Sequence, residues 1–228
     1  MWRKPAVIWA AIAVIALWVA AERGLLTETI VLFLLALIPA IILHEVSHGV
    51  VALVFGDDTA KKAGRLTLNP ISHVDPFGTV ILPGILLLTG SAAIGYAKPV
   101  PVTPSRLRQP RQHSLLVGLA GPATNLGLAG VVAVLYRGAG LDLDGRLGRY
   151  LWLFGFVNVL LAFFNMIPIP PLDGSAVVER LLPDKWWPGY LRFRQYSMVL
   201  LLLVFLWLPG FFAQMTEPAI WVWQNLAA

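Results

Sequence analysis

The 228-residue sequence contains no cysteine, which rules out disulfides and thiolate metal ligation and leaves the redox compartment unmarked. Charge is scarce too: Asp, Glu, Lys and Arg supply 13% of the residues, against 58% hydrophobic. So little charge excludes an ordinary soluble domain, and a mean hydropathy of +0.75 indicates an integral membrane protein. Low-complexity tracts, internal repeats and connections long enough to hold a separate soluble domain are also missing. The net charge of +5 does not point to nucleic acid, because the basic residues lie between apolar spans, where Lys and Arg set topology.

What is present is a series of apolar segments at 5–21, 29–55, 77–95, 113–136, 150–168 and 196–213. They predict an all-α polytopic membrane protein with about five to six transmembrane helices. The chain reads as one domain, 1–228, with a core at 29–182, an N-terminal span at 5–21 and a C-terminal span at 196–213. The basic start resembles a signal sequence, but Trp18-Val19-Ala20-Ala21-Glu22-Arg23 is a poor cleavage site, so the first span is expected to be retained. A short tail around Trp221 and Trp223 is expected at the membrane interface. If 77–95 dips in and returns to the same side, thirteen Lys and Arg fall on one face and four on the other. A full crossing leaves eight against nine. The asymmetry favours a re-entrant 77–95 and a cytoplasmic N-terminus. Pro83-Gly84 and Thr89-Gly90 interrupt that segment, in keeping with irregular backbone.

Three ionisable residues stand inside the second span, in His44-Glu45-Val46-Ser47-His48. Each costs about 2.5–3.5 kcal/mol at mid-membrane, so such residues usually carry function. On a helix, His44 and His48 project from one face and can share one Zn²⁺, with Glu45 beside the metal as a proton acceptor. The inner end of another span carries Asn165-Met166-Ile167-Pro168-Ile169-Pro170-Pro171-Leu172-Asp173-Gly174, where three prolines break the helix. Asp173 can cap a following helix at 174–182 or serve as a third ligand. With two imidazoles on another span, the ligand reading is preferred. His73 and His113 read as surface or capping residues.

These motifs resemble the site-2 protease family of intramembrane zinc metalloproteases. The resemblance rests on the His-Glu-x-x-His helix and on Asn-x-x-Pro-x-x-Pro-Leu-Asp-Gly. Asn69–Gly78, Gly95-Tyr96-Ala97-Lys98-Pro99-Val100-Pro101 and Gly121-Pro122-Ala123-Thr124-Asn125 add to it. It covers roughly residues 30–182, without room for the PDZ domain that many bacterial members insert, so the chain looks like a compact, PDZ-less branch. The resemblance implies one zinc per chain on His44, His48 and Asp173, with Glu45 as catalytic base or acid. It also implies regulated proteolysis of a single-span membrane protein in a prokaryotic cell membrane.

Asn125 and Asn165 are polar amides in apolar spans, either oxyanion donors or interhelical hydrogen-bond partners. Asn158 reads as packing between helices. The glycines of 113–136 (Gly118, Gly121, Gly127, Gly130) predict close approach of that helix to the catalytic one. Residues 59–69 read as a β-hairpin turning at Ala63-Gly64, and 96–102 as an edge strand, forming a small membrane-associated β element. Leu66, Thr67, Leu68, Ala97 and Lys98 on these edges are expected either to pair with an unwound substrate or to plug the re-entrant segment. The competing function is a zinc transporter or sensor without hydrolysis. Loss of activity in Glu45→Gln separates the two.

Overall fold

The computed structural model describes residues 22, 24, 27–75, 78–79, 96–139, 145–207 and 209–227. The predicted first span and nearly all of the predicted re-entrant segment lie outside these residues. Seven α-helices are described: α1 (Glu28–Val54), α2 (Thr59–Lys62), α3 (Pro110–Ala139), α4 (Arg146–Asn165), α5 (Ser175–Leu181), α6 (Trp187–Trp207) and α7 (Pro209–Ala227). Among the described residues, α1, α3 and α4 are long and apolar enough to cross a membrane.

α1 begins where Thr27 accepts the Ile30 amide at 3.3 Å and Glu28 places a negative charge in the first turn. It runs as a nearly uniform apolar helix to Gly56, whose φ of +108° turns the chain away in a conformation that suits glycine. α1, α3 and α4 pack on one another. Ala36 and Ala40 let α4 come close enough for Val157 to lose all exposure. Ala129, Val132 and Ala133 of α3 meet Val159 of α4 and Ala219 and Trp223 of α7. A side chain at Gly155 would overlap the Trp223 ring, so that glycine creates the slot the indole fills. The tail expected at the interface is therefore divided. Trp223 is fully buried against α4, while Trp221 is exposed. Residues 196–213 fall in two helices, the second starting at Pro209.

The predicted β element is not formed: the described residues contain no strand. Residues 59–62 are helical instead. Asp57 Oδ1 accepts the Thr59 amide at 3.0 Å and also the Thr59 hydroxyl. Asp58 pairs with Lys62 one turn on at 2.6 Å, and Gly64 closes the turn with φ of +65°. Aspartates ahead of Ala60, Lys61, Lys62 and Ala63, with glycine after them, are helix start and stop signals, and they outweigh the hairpin pattern. Residues 96–102 join no ladder: Pro99 and Pro101 lack amide hydrogens, and the Tyr96, Lys98 and Val100 amides donate to Gly78, His73 and Glu45.

Candidate metal centre

His44 and His48 lie one helical turn apart on α1, with ring centroids 4.8 Å apart and both residues buried. Each ring is fixed from behind. His48 Nδ1 lies 2.6 Å from the Val117 carbonyl of α3. A carbonyl only accepts, so Nδ1 carries a hydrogen, and in the neutral ring Nε2 keeps its lone pair. His44 Nδ1 lies 2.5 Å from Asn125 Oδ1. The Asn125 amide is oriented in turn, because its Nδ2 donates to Asn158 Oδ1 at 2.7 Å and toward the Ala40 carbonyl at 3.4 Å. Asn158 Nδ2 ends the chain on the Phe154 carbonyl at 2.8 Å. With acceptor-only carbonyls at its ends, the network assigns both carboxamides and gives His44 the same tautomer as His48.

The two Nε2 atoms point to one spot beneath Gly121 of α3. A Cβ there would overlap the His44 ring and crowd His48 Nε2. Asp173 arrives from the opposite side. The proline turn after α4 contains a cis Pro170–Pro171 bond and closes where the Gly174 amide donates to the Asn165 carbonyl at 2.6 Å. Gly174 is needed because a side chain would strike the Met166 carbonyl. Asp173 does not cap α5: the N-cap is Gly174, without a side-chain bond. Instead Asp173 Oδ2 lies 2.9 Å from His44 Nε2 and 3.4 Å from His48 Nε2.

The three ligand-type atoms lie within 4.8 Å of one another. Asp173 Oδ2 is buried, and in the neutral tautomers held from behind both facing nitrogens offer lone pairs. Three acceptors brought together this way repel one another unless a cation joins them. Tetrahedral zinc, with ligands at about 2.0–2.2 Å, sets ligand atoms about 3.4 Å apart. The cluster fits that ion.

Glu45 sits beside this trio, half-buried, with Oε2 accepting the Val100 amide at 2.9 Å. Asn165 Nδ2 donates to the Leu161 carbonyl of its own helix at 3.0 Å. Of the sequence-predicted substrate contacts, Thr67 and Lys98 are engaged through their backbones. The Lys98 amide donates to the His73 carbonyl at 2.9 Å, its carbonyl accepts Arg65 Nη2 at 2.7 Å, and the Thr67 carbonyl lies 2.9 Å from His73 Nε2. Leu66 packs where a side chain on Gly49 would lie, and Leu68 is exposed. His73 is buried, contrary to the surface position expected. His113 accepts the Gln109 amide at 3.1 Å at the entrance to α3, as expected of a capping residue, and stacks on Phe55. Of the α3 glycines, Gly118 and Gly121 face Ala176 and the metal trio, while Gly127 and Gly130 face open space. The Val117 carbonyl and Val100 amide escape sequence reading, since backbone groups carry no signature. Asn158 is a buried link in the network behind His44.

Residues 141–208, which include Asp173, match the model of Peptidase family M50. The chain is 38% identical over 178 residues to a Bacillus subtilis protein provisionally named zinc metalloprotease YwhC, covering 75% of this chain and 78% of that one. It is 31% identical over 186 residues to the provisionally named zinc metalloprotease Rip2 of Mycolicibacterium smegmatis, covering 76% and 70%. It is also 24% identical to zinc metalloprotease MJ0392 of Methanocaldococcus jannaschii, covering 77% of this chain and 42% of that one. No solved structure matches the chain.

Proposed function

We propose, for a chain that belongs to peptidase family M50, an intramembrane zinc endopeptidase that hydrolyses peptide bonds of transmembrane substrates near the inner face of the membrane. One observation carries this reading: three acceptor atoms from two remote segments meet without a donor, within a helix bundle apolar enough for a bilayer. In this reading His44, His48 and Asp173 hold the ion. Zinc bound there supplies a Lewis acid that polarises water and the scissile carbonyl.

The chain's own residues do the rest. Glu45 takes a proton from the attacking water as the new C–O bond forms, then hands it to the amine nitrogen, and the peptide C–N bond breaks as that nitrogen leaves protonated. Asn125 acts through His44. Both of its N–H bonds are directed to Asn158 and Ala40, so its role is to hold the imidazole, not to meet an oxyanion. Asn165 uses one N–H on Leu161 and has a second to offer an oxyanion. Substrate lies along 66–68 and 97–98, touching side chains there, because the paired backbone of Lys98 leaves no strand edge. The excess of Lys and Arg puts the N-terminus in the cytoplasm, and a membrane-held regulator is the substrate class that regulated proteolysis implies.

The test uses purified protein in liposomes with single-span model substrates. Wild type cleaves them, while Glu45→Gln and chelator-treated protein lose activity by several orders of magnitude. A Glu45→Gln variant that still cleaves sinks the assignment, and zinc transport without cleavage establishes the competing function.

A further inference from the structure

Two buried charged residues outside the metal trio hold one stretch of backbone. Arg65, 8% exposed, donates to the Lys98 carbonyl at 2.7 Å. Asp57, fully buried, accepts the Thr103 amide at 2.6 Å through Oδ2. Between these anchors the strap 98–103 crosses α1 over Glu45 and Gly49, which lie one turn apart beside the His44 and His48 stripe. Gly49 makes the crossing possible, because a side chain there would overlap both Leu66 and Val100. Pro99 and Pro101 have no amide hydrogen, so the Val100 N–H between them is the single donor of that triplet. It is directed to Glu45 Oε2 at 2.9 Å.

We propose that the Val100 amide is a positioning group for Glu45, fixing one carboxylate oxygen so that the other faces the water to be activated. The inference rests on Glu45 acting as the base. The flanking prolines hold the segment extended and remove donors that would compete for the carboxylate. A latch meant to release would need one loose end, whereas this strap is tied at both ends by charge-assisted hydrogen bonds to the buried residues Arg65 and Asp57. The strap therefore belongs to the working site.

Val100→Pro tests this, because it removes that N–H from a segment already flanked by prolines while also exchanging the buried Val100 side chain. In liposomes with a single-span substrate, kcat falls on the order of 10–100-fold while KM and zinc stoichiometry stay at wild-type values. A backbone ester at Val100, made with the matching hydroxy acid, removes the same N–H and decides the matter if the proline variant does not fold. An ester at Val102, outside the Glu45 contact, leaves kcat unchanged. A folded, zinc-loaded Val100 variant with unchanged kcat overturns the proposal, and one with raised kcat makes the strap an inhibitory latch. If wild type shows no zinc-dependent cleavage, the protease reading falls and this proposal falls with it.

Discussion

Asn158 stands two hydrogen bonds away from the metal trio, through Asn125 and His44. Replacing it with leucine strands the Asn125 amide in an apolar interior and frees the His44 ring to turn. We expect Asn158→Leu to weaken zinc binding by about 10–100-fold, measured by chelator competition, the usual cost of losing an outer hydrogen bond to a metal ligand. Asn125→Ala has the larger effect of the two. Asp57 offers a test through pH. Burial pushes its carboxyl up, but the Thr59 hydroxyl, the Thr103 and Thr59 amides and the Arg106 charge outweigh this and hold it below the usual carboxylate range. A depressed carboxylate stabilises the fold above its unfolded value of about 3.9, and that contribution is lost as pH falls through the lower folded value. Protection of the Thr103 amide, corrected for intrinsic exchange, should therefore stay flat from about pH 8 to about pH 5 and drop only well below.

At the scale of elements, legibility followed how local the cause was. α1 and its paired histidines were readable, because four-residue spacing and an unbroken apolar run are properties of one segment. The proline turn was readable as a break, and its carboxylate as a candidate ligand only beside the motif on another span. The close fit of Gly121 under the imidazoles was half-readable: a glycine stripe announces close packing, but only the packed helices tell Gly121 from the unpartnered Gly127. Residues 59–69 misled because alternation suggested strands, while Asp57, Asp58 and Gly64 held the helix signals. Two predictions belong here. Gly121→Ala places a methyl in the space of the His44 ring, so zinc binding is lost while helical content by circular dichroism stays near wild type. Trp223→Ala empties the slot above Gly155 and costs about 3–5 kcal/mol, read as a fall in Tm. Trp223→Phe, which keeps most of the volume, costs less.

For the molecule as a whole, the metal trio joins α1 to the turn beyond α4, and α3 supports both from behind. A ligand that binds only the folded arrangement stabilises it by mass action. Removing zinc should thus lower Tm for the bundle as one unit, and Asp173→Asn should show the low value with or without added zinc. Unequal responses of α1 and α4 to chelator in hydrogen exchange would contradict that coupling. The sequence could not disclose it, since neither the register of α3 against α1 nor the return path that brings Gly174 onto Asn165 is written in any single segment.

The division of the trio also bears on how the protein is made. A ribosome releases His44 and His48 into the bilayer long before Asp173 leaves the exit tunnel. During that interval a nascent chain holds the two imidazoles without Asp173, one short of the three ligand-type atoms that the folded chain brings together. On the proposed reading, hydrolysis therefore awaits synthesis past the proline turn.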